Sequence, residues 1–140
     1  MTTTTPIHTW KIGTVARQSG LPVKTIRYYA DLGLLGDTMG RSPKGYRLFS
    51  AAVLNRLAFI KRAQALGLSL QDIRNILAVH DAGTLPCGVI RELLEAQLQE
   101  INQQMATLRI LKGELQGILS GWQDFSNQPQ PPSTICPNLR

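Results

Sequence analysis

Two thiols, one imidazole and a set of unevenly spread cations are the groups in this 140-residue sequence with chemistry to offer. Cys87 and Cys136 are its two cysteines, and His80 precedes the first by seven residues. A pair of thiolates suits a thiophilic ion such as Hg²⁺ or Cu⁺ in a low-coordinate site. The same pair leaves zinc or cadmium short of the usual four donors. His80 is a candidate third donor, although a histidine near a helix end also serves as a solvated or capping group. A reversible disulfide between the two thiols is a second chemistry for them. A buried, inert thiol at 87 and a functionless tail around 136 is the bland alternative. An iron–sulfur cluster is disfavoured, because it takes four ligands. Catalysis is not expected: His8 lies in the terminal arm, and no phosphate loop, carboxylate pair or H-x-x-x-H spacing is present.

The cations point elsewhere. Residues 1–75 hold eleven Lys and Arg against three acids, a net of +8, whereas residues 76–140 hold four against six, a net of −2. A basic head on a mildly acidic tail suggests that the head meets a polyanion. No apolar run approaches the ~18 residues of a membrane span, and MTTTTPIHTW lacks a signal peptide's pattern. A cytoplasmic protein with reduced thiols is the expectation.

These groups need elements to position them. From Ile12 the sequence IGTVARQSGLPVKTIRYYADLGLL spaces Val15, Ala16, Leu21, Ile26, Tyr29 and Leu32 as two short helices packed on each other. Ser19-Gly20-Leu21-Pro22 breaks them, with the glycine free to turn left-handed and the proline beside the second helix's start. That is a helix-turn-helix, and its second helix, about Val23 to Leu32, carries Lys24, Thr25, Arg27 and Tyr28 near its leading end. Two strand-like pieces, Leu34-Leu35 and Tyr46 to Phe49, flank a Gly- and Pro-containing loop, and Arg41, Lys44 and Arg47 lie on the loop and returning strand. Such a hairpin makes a wing that grips flanking phosphates. Ser50 is expected to cap a third helix, about Ala51 to Leu66, with Leu54, Leu57, Ala58 and Ile60 inward and Arg56, Lys61 and Arg62 outward. Gly67 ends it, and Ser69 caps a fourth helix, about Leu70 to Val79, packing through Ile73, Ile76 and Leu77.

From Gly88 to Ser120, apolar residues recur at Ile90, Leu94, Leu98, Ile101, Met105, Leu108, Leu111, Leu115 and Ile118. Steps of three and four put them on one face of a single helix, roughly 50 Å long at ~1.5 Å per residue. A rod of that length cannot bury its stripe against a small domain, so pairing with the same helix of a second chain is expected.

The series IGTVARQSGLPVKTIRYYADLGLL, R-x-x-x-GYR-x-F and LNRLAFIKRAQALGLSLQDI resembles the MerR family of winged-helix transcriptional regulators over about residues 10–80. The resemblance implies a mainly α fold: a winged helix-turn-helix DNA-binding domain at 10–80, a linker and dimerisation helix at 81–120, and an effector loop or tail at 121–140. It implies a homodimer with antiparallel long helices on a palindromic operator, in a promoter whose spacer is overlong. Effector binding would distort that DNA so that RNA polymerase meets both promoter elements in register. Arg17, Lys24, Thr25, Arg27, Tyr28, Arg41, Lys44, Tyr46 and Arg47 are the implied DNA-facing residues. The metal-sensing branch commonly has a cysteine at the start of the dimer helix and a Cys-Pro after it, matching Cys87 and Cys136-Pro137. The implied effector is a thiophilic ion, foremost Hg²⁺, with Cu⁺ or another divalent ion as alternatives. The third cysteine of the mercury sensors, expected near Gly121-Trp122, is absent. Antiparallel helices would set Cys87 of one chain near the partner's tail, whereas within one chain the helix separates the two thiols.

Overall fold

A computed structural model describes residues 7–129 and 133–140. The chain falls into two compact units, Met1–Leu94 and Glu95–Arg140. Among the described residues, no helix is long and apolar enough to cross a membrane.

The first unit opens with α1 (Ile12–Ser19) and α2 (Val23–Asp31), the two helices that the apolar spacing predicts. Gly20 stops α1 at φ +73°, where its N–H bonds the carbonyl of Ala16; a left-handed stop of this kind favours glycine. Pro22, extended at φ −62°, stands just before α2 and accepts bonds from the amides of Thr25 and Ile26. Lacking an N–H of its own, proline loses nothing at a helix start.

After α2 the structure departs from the sequence expectation. Leu34 and Leu35 form no strand; they lie in the turn after α2 with both side chains buried in the core. A pair of leucines has the apolar content of a strand, but here the chain turns and drops both inward. The wing is made instead of β1 (Met39–Arg41) and β2 (Arg47–Phe49), antiparallel, with Met39 opposite Phe49 and Arg41 opposite Arg47. On β2, Phe49 also exchanges two backbone bonds with Trp10, 2.8 and 2.9 Å, which ties the segment before α1 to the wing's root.

Next come α3 (Val53–Ala65) and α4 (Leu70–Asp81). Ser50 does not cap α3. Its hydroxyl is buried with no hydrogen-bond partner, because its backbone N–H is held by the Thr38 carbonyl and α3 starts only after a further turn. Leu57 and Ile60 face the core as expected, while Leu54 is half-buried and Ala58 exposed. Ser69 does cap α4: its hydroxyl accepts from the Asp72 amide and the Asp72 carboxylate accepts from its N–H, a reciprocal box. The core gathers Val15, Ile26, Leu34, Leu35, Phe49, Val53, Leu57, Ile60, Ile73 and Ile76, all under 2% exposed. Each large side chain so buried contributes about 1.5–3 kcal/mol.

The long helix α5 runs from Cys87 to Ser120, 34 residues, and not one of them is buried. A short clasped loop completes the second unit.

Candidate nucleic-acid interface and thiol sites

On α2, Lys24, Arg27 and Tyr28 are exposed and Thr25 is half-buried; Arg17 on α1 is exposed and donates to the Thr14 hydroxyl at 3.2 Å. The wing tip turns through Ser42 to Gly45, where Gly45 takes φ +87°. Arg41 reaches across that turn to the Gly45 carbonyl, 2.9 Å. Lys44 and Tyr46 are exposed, Tyr46 by 69%. Arg27, Arg41, Tyr46 and Arg47 therefore line one concave surface between recognition helix and wing, together with Lys11. Sequence reasoning missed Lys11; its signal is a cation immediately before the first helix of a helix-turn-helix. A groove lined by guanidinium and ammonium groups is suited to phosphate.

Arg47 differs from its neighbours. It is half-buried and ion-paired with Asp31, the last residue of α2, so it joins the wing to the recognition helix. His8 supports the wing from the other side, donating from Nε2 to the Asp37 carbonyl at 2.6 Å. Its ring lies over Gly40, where a Cβ would come within 3.0 Å of Nδ1.

Behind α2 three polar contacts brace it against α3 and α4. The Tyr29 hydroxyl donates to Gln64 Oε1 at 2.6 Å, and burial, with Tyr28 beside it, pushes that phenol above its usual pKa. Arg74 donates to the Leu32 carbonyl at 2.5 Å. Arg56, expected on the outside, is instead buried: its Nε donates to the Leu34 carbonyl at 2.5 Å. Its two terminal nitrogens grip both oxygens of Asp81 at 2.7 and 2.8 Å. The signal was present in the spacing, since Val53, Arg56, Leu57 and Ile60 share one helix face. Arg56 holds the Asp81 carboxyl below the usual carboxylate range by hydrogen bonding; burial opposes this, and His80 adds to it. Gly36, at φ +55°, makes room, for a Cβ there would lie 2.9 Å from Arg56 Nη2. The turn after the recognition helix is thus fastened to the last residue of α4.

The thiols stand apart from this network. Cys87 is the exposed first residue of α5. Cys136 is half-buried in a tail that doubles back, with the Leu139 amide donating to the Cys136 carbonyl at 3.1 Å. Asn138 closes the loop: its Oδ1 accepts from the Gln123 N–H at 3.0 Å and its Nδ2 donates to the Gln123 carbonyl at 2.7 Å. The carboxamide so copies a backbone bridge and fastens the segment carrying Cys136 just beyond the end of α5. Trp122 and Phe125 line the hollow of this loop. Hydrogen bonds from Ser126 hold the Asp124 carboxyl below its usual range. Among the described residues, no three His, Cys, Asp or Glu side chains converge as a metal site. His80, the candidate third donor, is exposed with Nδ1 3.2 Å from Asp81.

Comparison with known proteins agrees with this geometry. Residues 10–79 match the model of the MerR HTH family regulatory proteins, and residues 54–118 match the model described as MerR, DNA binding. The HTH-type transcriptional regulator HmrR of Rhizobium leguminosarum bv. viciae is 33% identical over 108 residues, 77% of this chain and 82% of that one. A mercuric resistance operon regulatory protein of Bacillus cereus is 35% identical over 71% of this chain and 75% of its own. The crystal structure of the transcription regulator PbrR691 from Ralstonia metallidurans CH34 in complex with lead(II) superposes with a TM-score of 0.70. It is 31% identical, over 83% of this chain and 89% of that one. The chain belongs to the MerR family of DNA-binding transcriptional regulators.

Proposed function

We propose that the protein is a homodimeric, metal-responsive regulator that binds a palindromic operator through its winged helix-turn-helix. Arg17, Lys24, Thr25, Arg27, Tyr28, Arg41, Lys44, Tyr46 and Arg47 face the DNA, with Lys11 at the edge of the same groove. The cations fix the protein on phosphates; Tyr28 and Thr25 lie at the helix end that reaches the bases. Metal binding shifts the bound DNA from a shape that RNA polymerase uses poorly to a distorted one that aligns both promoter elements.

One observation carries the sensing half. An exposed thiol opens a helix of 34 residues, and a second thiol sits in a loop clasped just past that helix's end. An antiparallel partner brings the start of one helix beside the loop of the other, which makes two equivalent Cys87–Cys136 sites per dimer. Two thiolates alone favour Hg²⁺, with Cu⁺ next, over ions that need four donors. Relatives named for mercuric resistance and solved with lead(II) support a soft-metal effector.

The test is titration of the reduced protein with Hg²⁺, Cu⁺ and Zn²⁺, following ultraviolet thiolate–metal absorbance and transcription in vitro. One Hg²⁺ per chain and induced transcription are expected, both lost in Cys87→Ser and Cys136→Ser. Full response in those variants overturns the assignment. Response to an oxidant without metal replaces it with a disulfide switch.

A further inference from the structure

The apolar stripe of α5 has a polar residue at its midpoint. Gln104 lies equidistant from Ile90 and Ile118, the ends of the stripe. Ile101, Leu108, Leu111 and Leu115 stand three, four, seven and eleven positions away, spacings that share one helix face. Gln99, Asn102 and Gln103 fall on other faces. Gln97 lies on the stripe too, but it already has a partner within its own chain. Gln104 and the apolar residues around it are exposed, so a second helix laid on the stripe would bury the carboxamide along with them.

We propose that Gln104 is the contact that fixes the register of the dimer, pairing with Gln104 of a second copy across the twofold axis. This rests on the homodimer proposed above. The charge pattern of α5 favours a second copy in the antiparallel sense. The helix before Gln104 carries Glu92, Glu95 and Glu100 against Arg91, and the helix after it carries Arg109 and Lys112 against Glu114. Head-to-tail alignment sets an acidic half against a basic half, whereas parallel alignment sets like against like. A midpoint residue is also the one position of the stripe that meets its own copy when identical helices run antiparallel about the stripe's centre.

The chemistry then specifies the alignment. A carboxamide carries both donor and acceptor, so two of them facing across a dyad satisfy each other reciprocally. A slip of one helical turn puts each against Leu108 or Ile101, with its hydrogen-bonding groups buried and unpaired. A single polar residue in an apolar seam trades affinity for one register.

The experiment uses charge-swapped full-length chains. Gln104→Glu and Gln104→Lys are each expected to weaken dimerisation at least tenfold in analytical ultracentrifugation, and a 1:1 mixture is expected to restore it. Gln104→Leu is expected to tighten the dimer about tenfold. With Cys136→Ser added, spin labels on the two Cys87 thiols should report one inter-label distance in the Gln104 dimer and several, spaced by a helical turn of ~5.4 Å, in Gln104→Leu. Wild-type affinity in both charged variants, no recovery on mixing, or an unchanged single alignment in Gln104→Leu overturns the proposal while leaving the dimer standing. A monomeric wild-type chain at micromolar concentration overturns the dimer itself.

Discussion

The two ends of the molecule handle their polar and apolar groups in opposite ways. In the helix-turn-helix unit, buried leucines, isoleucines and one phenylalanine close a core, and Arg56, Arg74 and Tyr29 find partners inside the same chain. Along α5 no residue is buried, and seven residues of the stripe, from Leu94 to Leu115, are at least 36% exposed. The first unit closes its core within a single chain; the rod leaves its apolar stripe open, as one half of the proposed interface. On the proposed function the contrast separates binding from switching: the head would supply contacts to DNA, and a second copy the geometry of the thiol site.

The sharpest way to break that contrast is to spoil the rod alone. Replacing Ile101 and Leu108 by Asp sets charges into the stripe without touching the core of the head. The dimer is expected to dissociate, and operator affinity to fall a hundredfold or more, because two half-sites are no longer held together. Far-UV circular dichroism should retain the helical signal of the head. A double variant that stays dimeric in ultracentrifugation refutes the division of labour.

Arg56→Ala attacks the head instead. Removing one partner of a buried pair costs about 3–5 kcal/mol, and the 43% exposure of the Asp81 side chain reduces this to about 2–3 kcal/mol. A lowered urea midpoint with an unchanged slope is the expected readout. The same pair sets an acid limit. Because Asp81 has a lowered pKa when folded, its contribution is full above the ordinary carboxyl value and is lost as pH falls through the lowered one. Stability of the wild-type chain should therefore drop more steeply below pH ~4 than that of Arg56→Ala.

These two targets also mark what was legible in the sequence. The helix-turn-helix and α5 could be read because apolar spacing, Gly20 and Pro22 act locally. Arg56 shares the inward face of Val53, Leu57 and Ile60, but its charge argues against burial, and the partners that satisfy it, the Leu34 carbonyl and Asp81, are 22 and 25 positions away. The first wing strand hid in Met39-Gly40-Arg41, which has no β-branched or aromatic residue, while Leu34-Leu35 offered the apolar pair that a strand would need. The nine positions proposed to face DNA, and both cysteines, come from motif and resemblance. The clasp that positions Cys136 does not, because Asn138 acts through Gln123, 15 positions earlier.

That clasp gives the next prediction. Asn138→Ala removes both hydrogen bonds and leaves every candidate metal donor in place. Groups that orient a ligand typically change metal affinity 10–100-fold, so Hg²⁺ competition against a thiol chelator should show a loss in that range. Operator binding without metal should not change. An equal loss of both would mean that Asn138 supports the fold and not the sensor.

The smallest effect tests the head against itself. Arg27 and Arg47 line the same groove, but Arg47 is tied to Asp31 and Arg27 is exposed. A free guanidinium that neutralises a phosphate releases a counterion, so Arg27→Ala should weaken operator binding and reduce the slope of log affinity against log salt by about 0.9. Arg47→Ala loses a cation whose charge Asp31 already offsets, and it leaves the wing less firmly held. Its binding should weaken with a smaller change in slope. Titration of both variants across ionic strength separates a residue that holds DNA from one that holds the wing, and equal slopes would assign both to phosphate.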